Sequence, residues 1–142
     1  MTGYSLRQIK LYPRTSIDSA RRVRQLAHVL QGQISIASGR RVARQMSKVV
    51  GAWLAGMWDN DRQVSRAAHD SIKGVFATEK KRQDLLKVYA RPILEYSRDA
   101  VFKETAQSLS DERVVSPADA EAKHARVVAT SVCLITHLLC EF

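Results

Sequence analysis

Apolar residues recur at helical spacing through most of this chain, and strand-type alternation is almost absent. Between Arg40 and Trp58, the residues Val42, Met46, Val49, Val50, Trp53, Leu54 and Met57 share one broad face. Arg40, Arg44 and Lys48 step by four, with Arg41 beside them, and centre roughly opposite that face. The pattern predicts a helix with one side in a core and a row of positive charge on the other. An earlier helix is predicted from Ile17-Asp18 to the Ser38-Gly39 pair, burying Val23, Leu26, Ala27, Leu30 and Ile34. Asp18 or Ser19 is its expected N-cap, and glycine closes its end. Past the turn Asp59 to Asp61, a third helix reaches about Ala77 on Val64, Ala67, Ala68, Ile72, Val75 and Phe76. A fourth is predicted from Arg82 to Ser108 after a possible cap at Thr78, with a kink or restart at Pro92. Residues 109–115 read as a loop, and Ser116-Pro117-Ala118-Asp119 is a strong start for a last helix running towards Cys140. Residues 1–16 show no clean period, Pro13 is expected to stop a helix, and the stretch is read as an irregular lead-in. The expectation is all-α, about five helices, in a single helical-repeat domain over 1–142.

Two of these helices are related. Asp18, Arg21, Val23, Ala27 and His28 recur as Asp59, Arg62, Val64, Ala68 and His69, each displaced by 41 residues. That period belongs to HEAT and armadillo repeats, an α-solenoid in which one helix pair stacks on the next. The plain alternative is two amphipathic helices with ordinary caps. Gly51, Ala52, Ala55 and Gly56 lie off the main apolar face, where small residues admit a close neighbour. The order reads as one unpaired helix followed by two helical hairpins. With an apolar run ending the chain at Cys140-Glu141-Phe142, both ends are expected to be cuts through a longer solenoid.

Charge changes the picture more than composition does. The net charge is +9, yet residues 1–50 carry ten Lys/Arg and one acid, Asp18, while the remainder is balanced. Such asymmetry points to a polyanionic partner, whether nucleic acid, an acidic protein or a membrane surface, or else to a merely solvated basic face. Cys133 and Cys140 are separated by ~10.5 Å along a helix, beyond disulfide reach. With no charged-then-apolar leader after Met1, a reducing, cytoplasmic compartment is expected. The apolar run Val132 to Cys140 is far short of the ~20 residues a membrane span needs.

No catalytic constellation is found. His28, His69, His124 and His137 show no His-x-x-x-His spacing, the cysteines no Cys-x-x-Cys, and no phosphate or dinucleotide loop is present. Asp59 with Asp61, and Asp111 with Glu112, read as caps and turns. Trp53 and Trp58 read as core or edge aromatics. No cofactor and no metal are expected, and the chain reads as a binding module.

A collinear set of segments carries a resemblance. Tyr12-Pro13-Arg14, Ser16-Ile17-Asp18 and Arg21-Arg22-Val23-Arg24 come first. Lys48 to Gly56 with Asp59-Asn60-Asp61, then Ile93-Leu94-Glu95-Tyr96 and Lys103-Glu104-Thr105, follow. Leu109 to Arg113, Asp119 to Lys123 and Arg126-Val127-Val128 complete the set. From about residue 11 to 128 the chain resembles the N-terminal region of the listerin family, the fungal form in particular. The resemblance implies a large RING-type E3 ubiquitin ligase of ribosome-associated quality control, with a long HEAT-like middle and a C-terminal RING. It implies partners too: the large ribosomal subunit with stalled peptidyl-tRNA, and the quality-control factor that recognises it. A ubiquitin-conjugating enzyme would be recruited only through the RING. Two cysteines cannot build a RING, so this chain alone is expected to be non-catalytic.

Charge and resemblance meet in one expectation. Arg40, Arg41, Arg44 and Lys48, with Arg21, Arg22 and Arg24 brought near by hairpin packing, are the candidates to meet ribosomal RNA or an acidic protein surface. The competing readings are a protein-binding scaffold or adaptor, and a stand-alone basic RNA-binding domain.

Overall fold

The computed structural model describes residues 3–111 and 113–141, apart from the side chains of residues 3–6, 8 and 9. The side chains of the apolar positions Tyr4, Leu6 and Ile9, and the residues Glu112 and Phe142, therefore lie outside what is described. The helices are α1 (Gly3–Thr15), α2 (Arg21–Ser38), α3 (Met46–Ala55), α4 (Arg62–Val75), α5 (Glu79–Val88), α6 (Ala90–Arg98), α7 (Ala106–Leu109) and α8 (Pro117–Cys140). A 3-10 segment, Gly39–Gln45, leads into α3, a 3-10 turn, Gly56–Trp58, follows it, and a π turn, Asp99–Lys103, follows α6. The fold is all-α among the described residues.

The centre is α3. Its sequence from Val49 to Gly56 has no polar side chain but the Trp53 indole N–H, and every residue of that run is buried. A helix apolar on all sides belongs inside, and α3 packs against α1, α4, α6 and α8. Its small residues admit those neighbours. A Cβ on Gly51 would lie 2.5 Å from Tyr96 of α6, and one on Gly56 would overlap the ring of His28. Trp53 Nε1 donates to Ser71 Oγ of α4 at 2.7 Å, which removes the one polar cost of burying the indole.

The most extensive helix contact is α2 with α4, the two segments related by sequence, and α3 packs chiefly on α6. Asp18 and Asp59 even make the same turn: Asp18 Oδ1 accepts from the Ala20 N–H at 2.8 Å, and Asp59 Oδ1 from the Asp61 N–H at 2.9 Å. The expected hairpin of the third helix with the second is made mainly by the 3-10 turn Gly56–Trp58 against α4, and less by α3 itself.

Four other expectations are corrected. The lead-in is helical from Gly3 to Thr15. Pro13 lies in its last turn, where the helix ends two residues later and the Ser16 N–H bonds Tyr12 O at 2.8 Å. The N-cap of α2 is Ala20, one residue beyond Ser19, because the Asp18 carboxylate is engaged in the turn before it. The long fourth helix is broken into α5, α6, the π turn and α7. Tyr89 leaves helical geometry at φ −107°, ψ 21°, and Pro92 falls in the first turn of α6, where its missing N–H costs nothing. Thr78, Asp61 and Ser116 cap α5, α4 and α8 as expected, each accepting a backbone N–H.

The fourth correction is the largest. Val23, Leu26 and Leu30 of α2 are exposed and Ile34 is half-buried; Ala27 is buried as expected, but the rest of the buried side is Arg24, His28, Gln31, Gly32 and Ser35. At Gly32 the seam with α4 leaves no room for a side chain, since a Cβ there would lie 2.7 Å from Ser71 Cβ. The polar residues on this side are only partly satisfied, since His28 Nε2 and Gln31 Oε1 are buried without a hydrogen-bond partner among the described residues. Tyr12 and His28 Nδ1 share a hydrogen bond of 2.7 Å, and Gln31 Nε2 donates to Ser35 Oγ at 3.3 Å.

Candidate functional site

The basic cluster Arg40, Arg41, Arg44 and Lys48 forms one exposed end of the molecule, at the junction of α2 and α3. Gly39 makes the junction possible. It has φ 53°, ψ −127°, open only to glycine, and its N–H bonds Ser35 O as α2 closes. The seven residues Gly39–Gln45 wind as a 3-10 segment, three residues per turn, so Arg41 and Arg44 stand over one another at ~6 Å. Val42 and Met46 bury beneath them, and the Tyr89 hydroxyl donates to Ala43 O at 3.4 Å. Arg40, Arg41, Arg44 and Lys48 form no ion pair among the described residues.

The expected arrangement of charge opposite an apolar face is therefore replaced. Basic and buried parts follow one another along the axis: a charged stretch from Arg40 to Lys48 first, then the buried run from Val49 to Gly56. Lys48 occupies the first turn of α3, which holds no acid. The first turn of α2 holds Arg21, Arg22 and Arg24, again without an acid. Positive charge at a helix N-terminus opposes the helix dipole, by ~0.3–1 kcal/mol at exposed positions. The chain tolerates that cost twice, and no acid occurs between Asp18 and Asp59 to offset it. Residues 1–50 thus carry all of the chain's net positive charge.

The two groups of arginines are not brought together. Arg21 and Arg22 begin α2, and Arg40 follows its end, so ~25 Å of helix separates them. Arg21 is 79% exposed and lies 3.6 Å from Asp61 of α4. The Asp61 carboxyl is held below the usual range by the Val64 N–H first, with smaller contributions from the Gln63 N–H and Arg21. Arg22 donates to Gln25 Oε1 at 3.2 Å and is exposed.

Arg24 leaves the candidate surface altogether. It is buried, its Nε and Nη2 donate to Asp59 Oδ2 and Oδ1 at 2.9 and 3.2 Å, and its Nη1 donates to Asp18 O and Ser19 O at 2.9 and 3.2 Å. Arg126 of α8 donates to Ile17 O at 2.5 Å and Asp18 O at 3.2 Å from the other side. Two arginines from distant helices thus pin the turn that starts α2. Sequence reasoning missed this clamp. Its one available signal was Asp59, an acid that the cap of α4 does not require because Asp61 already serves it.

Trp53 is fully buried, and Trp58 is half-buried against the His137 ring at 5.2 Å, so both act as packing aromatics. Cys133 and Cys140 are both free thiols. Among the described residues no helix is long and apolar enough to cross a membrane.

Known proteins place this arrangement in a family. A family model for the E3 ubiquitin-protein ligase listerin N-terminal domain matches residues 8–142. The chain is 41% identical over 130 residues, 92% of its length, to the E3 ubiquitin-protein ligase listerin of Neurospora crassa. It is 35% identical over 126 residues, 89% of its length, to that of Schizosaccharomyces pombe, and 28% identical over 131 residues, 92% of its length, to that of Mus musculus. It spans 8% of the length of the two fungal relatives and 7% of the mouse one. Matched over nearly its whole extent, the chain belongs to the listerin N-terminal domain family.

Proposed function

We propose that this chain is the docking module of a listerin-type E3 ubiquitin ligase: it binds large ribosomal subunits that carry a stalled nascent chain, so that the ligase ubiquitinates that chain. The protein acts in the cytoplasm, and its partners are the large subunit with stalled peptidyl-tRNA and the quality-control factor bound there. The ubiquitin-conjugating enzyme is recruited elsewhere, on a RING this chain does not contain.

One observation supports the reading most: Arg40, Arg41, Arg44 and Lys48 are exposed, crowded and without ion pairs among the described residues. Crowded like charges repel, so an external anion is their natural complement. Phosphate contacts of this kind supply affinity and orientation without reading sequence, which suits docking on a particle coated in RNA. Arg21 and Arg22 form a second, more distant contact point, and Arg24 takes no part.

Co-sedimentation with separated large and small ribosomal subunits tests the proposal. The chain is expected to pellet with large subunits in preference to small ones at moderate salt. The Arg40→Glu/Arg41→Glu/Arg44→Glu/Lys48→Glu variant is expected to lose that preference. Equal binding to both subunits, or none, overturns the proposal; preference retained in the variant moves the contact to other residues.

A further inference from the structure

Helix α2 turns its apolar side to solvent. Val23, Leu26, Val29, Leu30 and Ile36 are exposed, from 38% at Val29 to 63% at Ile36. At 100° per residue they occupy one side of the helix, opposite buried Arg24, His28, Gln31 and Ser35. Single exposed apolar residues are ordinary, but five large ones on one side of a helix, interrupted there by Gln33, mark an interaction surface. The ridge borders an open groove of about 610 Å³ between α2 and α4, with Val29 and Ile36 in its wall and Arg22 and Arg66 on its rim.

The surroundings of the ridge specify the occupant. Arg21 and Arg22 stand at its start, and Arg40 and Arg41 just past its end, all four exposed. Asp70 is the one acid lining the groove. We infer that this face of α2 seats an amphipathic helix of another protein, apolar along one stripe and acidic at its flanks. From Val23 to Ile36 the ridge runs ~20 Å, which matches about four turns of a helix laid along it. The apolar stripe covers Leu26 and Leu30, and the acids meet the arginines at either end. A second copy of this chain is a poor occupant, because it would set one arginine-framed face against another. Nucleic acid is poorer, because α2 carries no Lys or Arg between Arg24 and Arg40, so the middle of the face, with Leu26, Leu30 and Gln33, offers phosphates no charge. The face shares its flanking arginines with the proposed ribosome contact, but Leu26 and Leu30 have no part in that contact, so a change at these two residues tests this face separately.

The test is a selection of random 16-residue peptides on the 142-residue chain, with counter-selection on Leu26→Glu/Leu30→Glu. Both positions are exposed, and urea unfolding checks that the variant remains folded. The enriched peptides are expected to carry apolar residues at i, i+3 or i+4 and i+7, with net negative charge. Synthetic versions are expected to lose at least tenfold affinity for that variant and severalfold for Arg22→Glu, a change at the rim that leaves the ridge intact. Failure of any sequence to enrich overturns the inference, as does enrichment of peptides without acids or with equal affinity for all three proteins. Sedimentation that shows a dimer lost in Leu26→Glu/Leu30→Glu assigns the face to a second copy and also overturns it. So does a single-stranded RNA probe whose binding is lost in that variant.

Discussion

Arg24 and Asp59 form a two-pronged ion pair in the interior, Nε to Oδ2 at 2.9 Å and Nη2 to Oδ1 at 3.2 Å, with 5% and 4% of their side chains exposed. The pair joins the first turn of α2 to the turn that precedes α4. Removing either partner strands a buried charge, which costs ~3–5 kcal/mol. Asp59→Ala and Arg24→Met are each expected to lower stability by about that much in urea unfolding. Arg24→Lys is expected to recover only part, since an ammonium cannot keep both prongs and the two backbone acceptors. Replacing both residues with apolar ones is expected to recover more than either single change.

The buried His28 makes stability depend on pH. Burial, the largest cause, lowers its pKa to about 4; Asp59 opposes the shift and Arg24 adds to it. An unfolded histidine takes up its proton near ~6.5. Between those values the unfolded chain binds more protons than the folded one, so stability falls as pH falls. The contribution is fully present above about 6.5 and is lost on the way down to about 4, with a ceiling of about 3 kcal/mol. The urea midpoint is expected to drop from pH 7.5 to pH 4.5, and His28→Gln is expected to flatten most of that drop. His69, whose pKa is also lowered, first by burial, leaves a small residual slope.

Two glycines are predicted to fail for different reasons. A Cβ at Gly51 lies 2.5 Å from both Cβ and Cγ of Tyr96, so Gly51→Ala overpacks the α3–α6 seam at a cost of ~1–3 kcal/mol. Tyr96→Ala is not expected to rescue it, because the Tyr96 Cβ remains. At Gly39 a Cβ meets nothing within 4 Å, yet φ is 53° and ψ −127°, and Gly39→Ala costs ~1–3 kcal/mol through backbone strain alone. Thermal unfolding of the two variants checks both.

The basic end is predicted to be dispensable for folding. Arg40, Arg41, Arg44 and Lys48 are exposed and without ion pairs among the described residues, and Lys48 opposes the dipole of α3. Neutralising all four with glutamine is expected to leave stability unchanged or raise it by ~0.5–1 kcal/mol at low salt. A loss of more than that would mean the charges hold the fold rather than a partner.

Much of this architecture was legible because its signals are local. Asp61, Thr78 and Ser116 cap helices through their own side chains, Ser38-Gly39 ends one, and Pro92 restarts one within a few residues of each signal. The close approaches at Gly51 and Gly56 follow from residue size. The face of α2 was not legible, because periodicity ranks residues by apolarity and cannot see distant partners. Arg24 is buried by Asp59 and His28 by Tyr12, 35 and 16 residues away. The same blindness placed Arg24 among surface cations and drew the Arg40 to Lys48 row on a continuous α-helix. The 3-10 winding there depends on the turn at Gly39 and the seat of Val42 and Met46 beneath it.

The most direct test of the central claim is the salt dependence of binding to isolated large ribosomal subunits. Each phosphate neutralised contributes roughly 0.7–0.9 to the slope of log affinity against log salt concentration. If Arg40, Arg41, Arg44 and Lys48 meet ribosomal RNA, replacing all four with glutamine is expected to weaken binding and reduce that slope by about three. An unchanged slope, with or without weaker binding, would contradict docking through this end of the molecule.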